Sequence, residues 1–121
     1  ARTLVAADSG KVFFLNAVGG FTVTLPAKAA GLNFKFFVST APTTAYIIIT
    51  NAADLDTMCG QSITSASDTS GAVDVSTFSA DQVNFVANEA VKGDSCDLWN
   101  DGTNWYARGF AALVAGITFT G

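Results

Sequence analysis

A chain of 121 residues with a formal net charge of −4 and no histidine is one domain by size. It lacks the basic face that nucleic acid or an anionic membrane would need, and also the commonest general base and metal ligand. Half of it is hydrophobic and only 13% is charged, about half the charged share of an ordinary soluble domain, so small polar residues or other subunits must cover its surface.

Ala1–Ala7 (ARTLVAA) has no period and reads as an edge strand or an apolar arm reaching a neighbour. Asp8-Ser9-Gly10 is a turn signal, and the aromatic run Lys11–Asn16 reads as a strand. After Gly19-Gly20, Phe21–Leu25 alternates strictly, with Phe21, Val23 and Leu25 inward and Thr22 and Thr24 outward. Pro26 ends that strand, because it cannot donate to a ladder. Ala27–Ala30 is a connector with room for one helical turn. In Leu32–Ser39, Leu32, Phe34, Phe36 and Val38 form one face and Asn33, Lys35 and Phe37 the other. A phenylalanine on the polar face implies a covering layer or subunit. Tyr46–Thr50 is apolar on both faces, as a central strand is.

Asn51–Thr69 is the least regular stretch, with Ile63 marking a short strand. Val73 and Val75 then alternate with Asp74 and Ser76, and Val83–Ala87 is a further strand. Ser95–Phe110 (SCDLWNDGTNWYARGF) reads as a β-hairpin turning at Asn100-Asp101-Gly102, since Asp-Gly tolerates positive φ. Trp99 and Trp105, the only two tryptophans, flank the turn and are expected in the core with Phe21, Val23, Leu25, Phe34 and Phe36. Adjacent in a strand, Trp105 and Tyr106 point to opposite sides. The tail Phe110–Gly121 is apolar and uncharged; left free it would aggregate, so either its own sheet or another subunit covers it.

These cues describe eight to ten short strands with no sustained helical period. The expected fold is a single all-β domain spanning 1–121, an antiparallel sandwich or jelly-roll-like barrel with few or no helices. No signal peptide is recognisable after Arg2, and Phe110–Phe119 is too short for a membrane helix, which needs about 20 residues.

Catalytic chemistry is not expected. Without histidine there is no Ser-His-Asp or Cys-His arrangement. No phosphate loop is present, and the single glutamate, Glu89, has no carboxylate partner in a catalytic pattern. Cys59 and Cys96 allow one disulfide but read more simply as two buried thiols. Asp54 and Asp56, and the group Asp94, Asp97 and Asp101, carry oxygens suited to calcium but lack its usual loop spacing; turn formation accounts for them. No metal, cofactor or small-molecule substrate is expected.

Residues 9–38, SGKVFFLNAVGGFTVTLPAKAAGLNFKFFV, contain a strand, a threonine-alternating strand ending in Leu25-Pro26, an Ala-Gly connector closing at Gly31, and the aromatic strand Phe34–Val38. Residues 92–109 carry Gly93-Asp94, Asp101-Gly102-Thr103-Asn104-Trp105-Tyr106 and Gly109. Together these segments resemble small structural proteins of tailed bacteriophages, which include capsid decoration (cement) proteins and fibre or spike domains. The resemblance implies a homotrimeric β-domain on a virion. In the decoration role it would sit on the outer surface of the head, bound to the major capsid protein. A fibre domain binding a host glycan and a secreted carbohydrate-binding module are the alternatives. The expected contacts to subunits or capsid lie at the two apolar ends, carried by Arg2, Leu4, Val5, Phe110, Leu113, Val114, Ile117 and Phe119.

Overall fold

A computed structural model describes residues 1–64 and 75–121; Val73, Asp74 and the other residues of 65–74 lie outside them. The strands are β1 (Arg2–Thr3), β2 (Val12–Leu15), β3 (Thr22–Thr24), β4 (Asn33–Val38), β5 (Tyr46–Ile49), β6 (Met58–Thr64), β7 (Val75–Ala80), β8 (Gln82–Phe85), β9 (Ser95–Asn100), β10 (Trp105–Ala111) and β11 (Ile117–Thr120). Three-residue 3-10 turns at Ala6–Asp8 and Val114–Gly116 are the helical elements among the described residues. Ala27–Ala30 is bend and turn, not helix.

The strands form two sheets packed as a sandwich, ordered β1-β3-β5-β8-β11 and β2-β4-β9-β10-β6-β7. The expected all-β sandwich is what forms, but its pairing is mixed rather than antiparallel throughout. The first six strands alternate between the sheets. Each turn therefore carries the chain across the sandwich instead of folding it back as a hairpin. After two crossings the chain returns to a sheet running in its former direction, so β1–β3, β3–β5 and β2–β4 are parallel. The β6–β10 pair is parallel as well, while β9–β10 is the expected antiparallel hairpin.

The crossing between β2 and β3 shows why local turn chemistry suits this path. Gly20 adopts φ +66°, and a Cβ there would lie 2.0 Å from the carbonyl oxygen of Thr44. A side chain is excluded on both counts, and the coil stays tight enough for β3 to lie beside β5.

Alternation decides which side chains enter the core. In the five-stranded sheet Val23, Ile48, Val83 and Phe119 form one inner row, and Tyr46, Phe85 and Ile117 another. The six-stranded sheet answers with Phe34, Phe36 and Val38 from β4, Cys96 and Leu98 from β9, and Trp105 from β10. β5 is central, as its two apolar faces imply. Val23, Leu25, Phe34, Phe36 and Trp105 are buried; Phe21 is half-buried and packs edge-on against Tyr46, centroids 5.3 Å apart. Trp99 corrects the expected core. Cys96 and Leu98 point inward, so the two-residue period turns Trp99 outward, where it is 44% exposed.

Small residues opposite large ones let the layers interlock. Gly60 on β6 lies under the ring of Phe119, and Gly109 on β10 under Ile117; a Cβ at Gly60 would fall 2.3 Å from the Phe119 ring. The C-terminal segment is thus received by its own partner sheet.

Candidate functional site: the outer face of the six-stranded sheet

The side chains that β2, β4, β9, β10 and β6 turn away from the core fall into three rows across the sheet, set by strand register. One row runs Asn33, Trp99, Tyr106, Cys59; the next Val12, Lys35, Asp97, Arg108, Gln61; the third Phe14, Phe37, Ser95, Phe110, Ile63. A charged middle row is thus flanked by an aromatic row and an apolar row.

In the apolar row Phe14 is 64% and Phe110 56% exposed, and Ile63 is equally open. Phe14 and Phe37 stack with centroids 5.8 Å apart and planes 15° apart, and the Lys35 ammonium lies 5.1 Å from the Phe37 centroid. The Lys35 ammonium and the Phe14 ring partly cover Phe37, and buried Ser95 separates it from Phe110, yet Phe14, Phe110 and Ile63 remain exposed among the described residues. Leu113, just past β10, is also exposed.

In the middle row Lys35 pairs with Asp97 at 3.5 Å. Arg108 stands opposite Asp97 in the ladder but makes no ion pair among the described residues. It lines a shallow depression of about 480 Å³ together with Trp99, Tyr106, Gln61 and Cys59.

The aromatic row is held from below by the hairpin turn. Asp101 accepts backbone N–H bonds from Thr103 at 2.9 Å and Asn104 at 2.8 Å, and Tyr106 donates its hydroxyl to the other carboxylate oxygen at 2.9 Å. Those N–H groups, Asn104 foremost, hold the Asp101 carboxyl below its ordinary range, and the hydroxyl's own bond to Asp101 raises the Tyr106 phenol. Phe78 meets the Tyr106 ring edge-on at 5.3 Å. The orientation of Tyr106 is therefore fixed on two sides.

The aspartates that raised the question of calcium go separate ways. Asp94 turns inward and accepts N–H bonds from Val91 and Ala112, and burial raises its pKa. Asp97 pairs with Lys35, and Asp54 accepts the Lys28 N–H at 2.9 Å. No three metal-ligating side chains converge among the described residues. Cys59 and Cys96 are free thiols on opposite faces of the sheet with β10 between them, and burial raises both pKa values.

The expected contact residues divide. Arg2, Val5, Phe110 and Leu113 are exposed, with the Arg2 guanidinium 5.1 Å from the Phe13 centroid. Leu4, Val114, Ile117 and Phe119 are buried in the domain itself, which corrects their assignment as contacts. Leu4 donates to the Thr24 carbonyl, and Ile117 and Phe119 belong to a strand paired with β8. Sequence reasoning singled out Phe37 as needing cover but missed Phe14 and Ile63 in the same row. The one available signal was Phe37 on the polar face of its strand.

The charge on Asp101 gives an acid dependence of defined sign. A carboxyl whose folded-state pKa is depressed contributes stability above its ordinary value of 3.8 and loses it as pH falls through the folded-state pKa. Asp8 is depressed likewise, by its 2.8 Å bond from Lys11 and then by the Val5 N–H. Asp94, raised by desolvation, works in the opposite sense: its contribution is complete below 3.8 and fades as pH rises through its folded-state pKa. The expected result is that Asp101→Asn, which keeps an acceptor for the turn, flattens the fall in melting temperature below pH 4. An unchanged acid limb would show that this carboxylate is not a determinant.

Comparison of the chain with protein-family models, curated proteins and solved structures finds no match.

Proposed function

We propose that this chain is a structural virion protein, a decoration protein that binds the outside of a tailed-phage head as a homotrimer and bridges capsid subunits. The observation that carries the reading is the apolar row of Phe14, Phe37, Phe110 and Ile63, in which Phe14, Phe110 and Ile63 are exposed among the described residues, on a domain with only 13% charged residues. A strip of this kind marks a protein contact, and burying it yields roughly 25 cal/mol per Å². The phage-like segments at residues 9–38 and 92–109 supply the kind of partner. A ligand that binds only the assembled shell stabilises it by mass action, and threefold repetition converts modest contacts into avidity.

A tail-fibre or head-fibre domain that binds a host glycan is the second reading, favoured by the exposed Trp99 and Tyr106 pair.

Immunogold labelling of particles from the encoding genome, with sedimentation of the isolated domain, tests the assignment. Label across the head lattice and a trimer in solution are expected. The Phe14→Ser, Phe110→Ser double variant is expected to keep its melting temperature and lose binding to expanded heads. Label confined to the tail tip would move the domain to a fibre, and unlabelled particles would end the virion reading.

A further inference from the structure

The aromatic row and Arg108, which makes no ion pair among the described residues, lie beyond the apolar row. Trp99 and Tyr106 are cross-strand partners on β9 and β10, 44% and 40% exposed, and both line the same depression. Tyr106 is immobilised by Asp101 and Phe78 before any ligand arrives, which lowers the cost of binding. Two residues along β10, Arg108 faces the same depression with Gln61 beside it in register.

The charges around this depression are unequal. Asp97 is occupied by Lys35, and burial keeps the Cys59 thiol neutral. Arg108 is the uncompensated charge of the middle row among the described residues, in a protein whose net charge is −4. A guanidinium without a carboxylate fits a planar anion through two parallel N–H bonds. The exposed aromatic side chains beside it suit a ring with an apolar face, and the Gln61 amide can both donate to and accept from a hydroxyl. The volume of about 480 Å³ lies within the range of small-ligand sites.

From this juxtaposition we propose that Trp99, Tyr106, Arg108 and Gln61 form a binding site for an acidic saccharide, a uronic-acid-type sugar whose ring stacks on the aromatic pair and whose carboxylate meets Arg108. The site does not depend on capsid attachment, since it uses different residues and is tested on the isolated domain.

The experiment titrates the intact chain with oligogalacturonate, oligoglucuronate and oligomannuronate, and with neutral oligogalactose and oligoglucose. Tryptophan fluorescence is the readout: Trp105 is sealed in the core, so a ligand-dependent change reports Trp99. Saturable binding of at least one uronate is expected, weakening with added salt. Arg108→Gln is expected to reduce uronate affinity about tenfold or more, the scale of a lost charge-assisted contact, and to leave the melting temperature unchanged. Trp99→Ala, at an exposed position, is expected to abolish binding without unfolding; uronate-induced amide shifts confirm this when the fluorophore is gone. No response to any uronate at millimolar concentration would overturn the proposal. So would equal uronate affinity in Arg108→Gln, or an equal response to a Tyr-Glu-rich acidic peptide, which would make the site a peptide groove.

Discussion

A chain ending before Ile117 is expected to lose its cooperative thermal transition altogether. Ile117 and Phe119 are buried at 0% and 5% exposure, and the strand carrying them pairs along its length with β8. Its removal also orphans the N–H of Asp81, which donates to Thr120 at 2.8 Å. The larger loss is steric. Gly60 and Gly109 have no side chains of their own to fill the space that Phe119 and Ile117 occupy, so the opposite sheet cannot close over the gap. Truncating a buried isoleucine typically costs about 2–5 kcal/mol and a buried phenylalanine about 3–5. Their sum matches much of a domain's total of about 5–15 kcal/mol. Far-ultraviolet circular dichroism on heating checks this. A truncated chain that melts like the parent but no longer assembles would return the C-terminal end to the role of a contact surface.

Trp105→Ala is expected to be the most damaging single truncation, costing about 3–5 kcal/mol and leaving the domain partly unfolded at 37 °C. Its side chain is fully buried at the start of β10, and its ring lies 6.2 Å from that of Phe34, which in turn packs near Phe13. A cavity there loosens β4, β9 and β10 together. The indole Nε1 is buried and has no hydrogen-bond partner among the described residues, so the tryptophan stabilises mainly through its volume. Trp105→Phe should therefore keep most of the stability, because it retains much of the apolar ring volume. Denaturant unfolding of both variants separates these contributions. If the phenylalanine variant proves as unstable as the alanine one, the indole edge has a role that its packing does not explain.

The parts of the fold legible in the sequence are those decided within one strand or one turn. Alternation in Asn33–Val38 places Phe34, Phe36 and Val38 inside, and the Asp101-Gly102 turn joins β9 to β10. The split between buried Trp105 and exposed Tyr106 follows from the same period. Partner choice was not legible. Gly19-Gly20 reads equally well as a hairpin turn or as a crossing to the other layer, and only the approach of Thr44 decides between them. Apolar character alone also misplaced the ends: Ile117 and Phe119 face inward, while Phe14 and Trp99, no less apolar, face out. The outer rows draw residues from strands far apart in the chain, and their alignment exists only in the assembled sheet.

The β9–β10 hairpin lies between β4 and β6 in space although it follows both in the chain. A ribosome delivers residues in order, so β4 leaves it with one flank against β2 and the other without its partner until Ser95–Asn100 has been made. Through that interval the nascent chain carries an open strand edge, the feature that templates intermolecular pairing. Closing the sheet then requires a long loop to be brought together first, an entropic cost that slows folding of such topologies. Synthesis and assembly thus run in different orders, and the last third of the polypeptide completes the middle of the sheet.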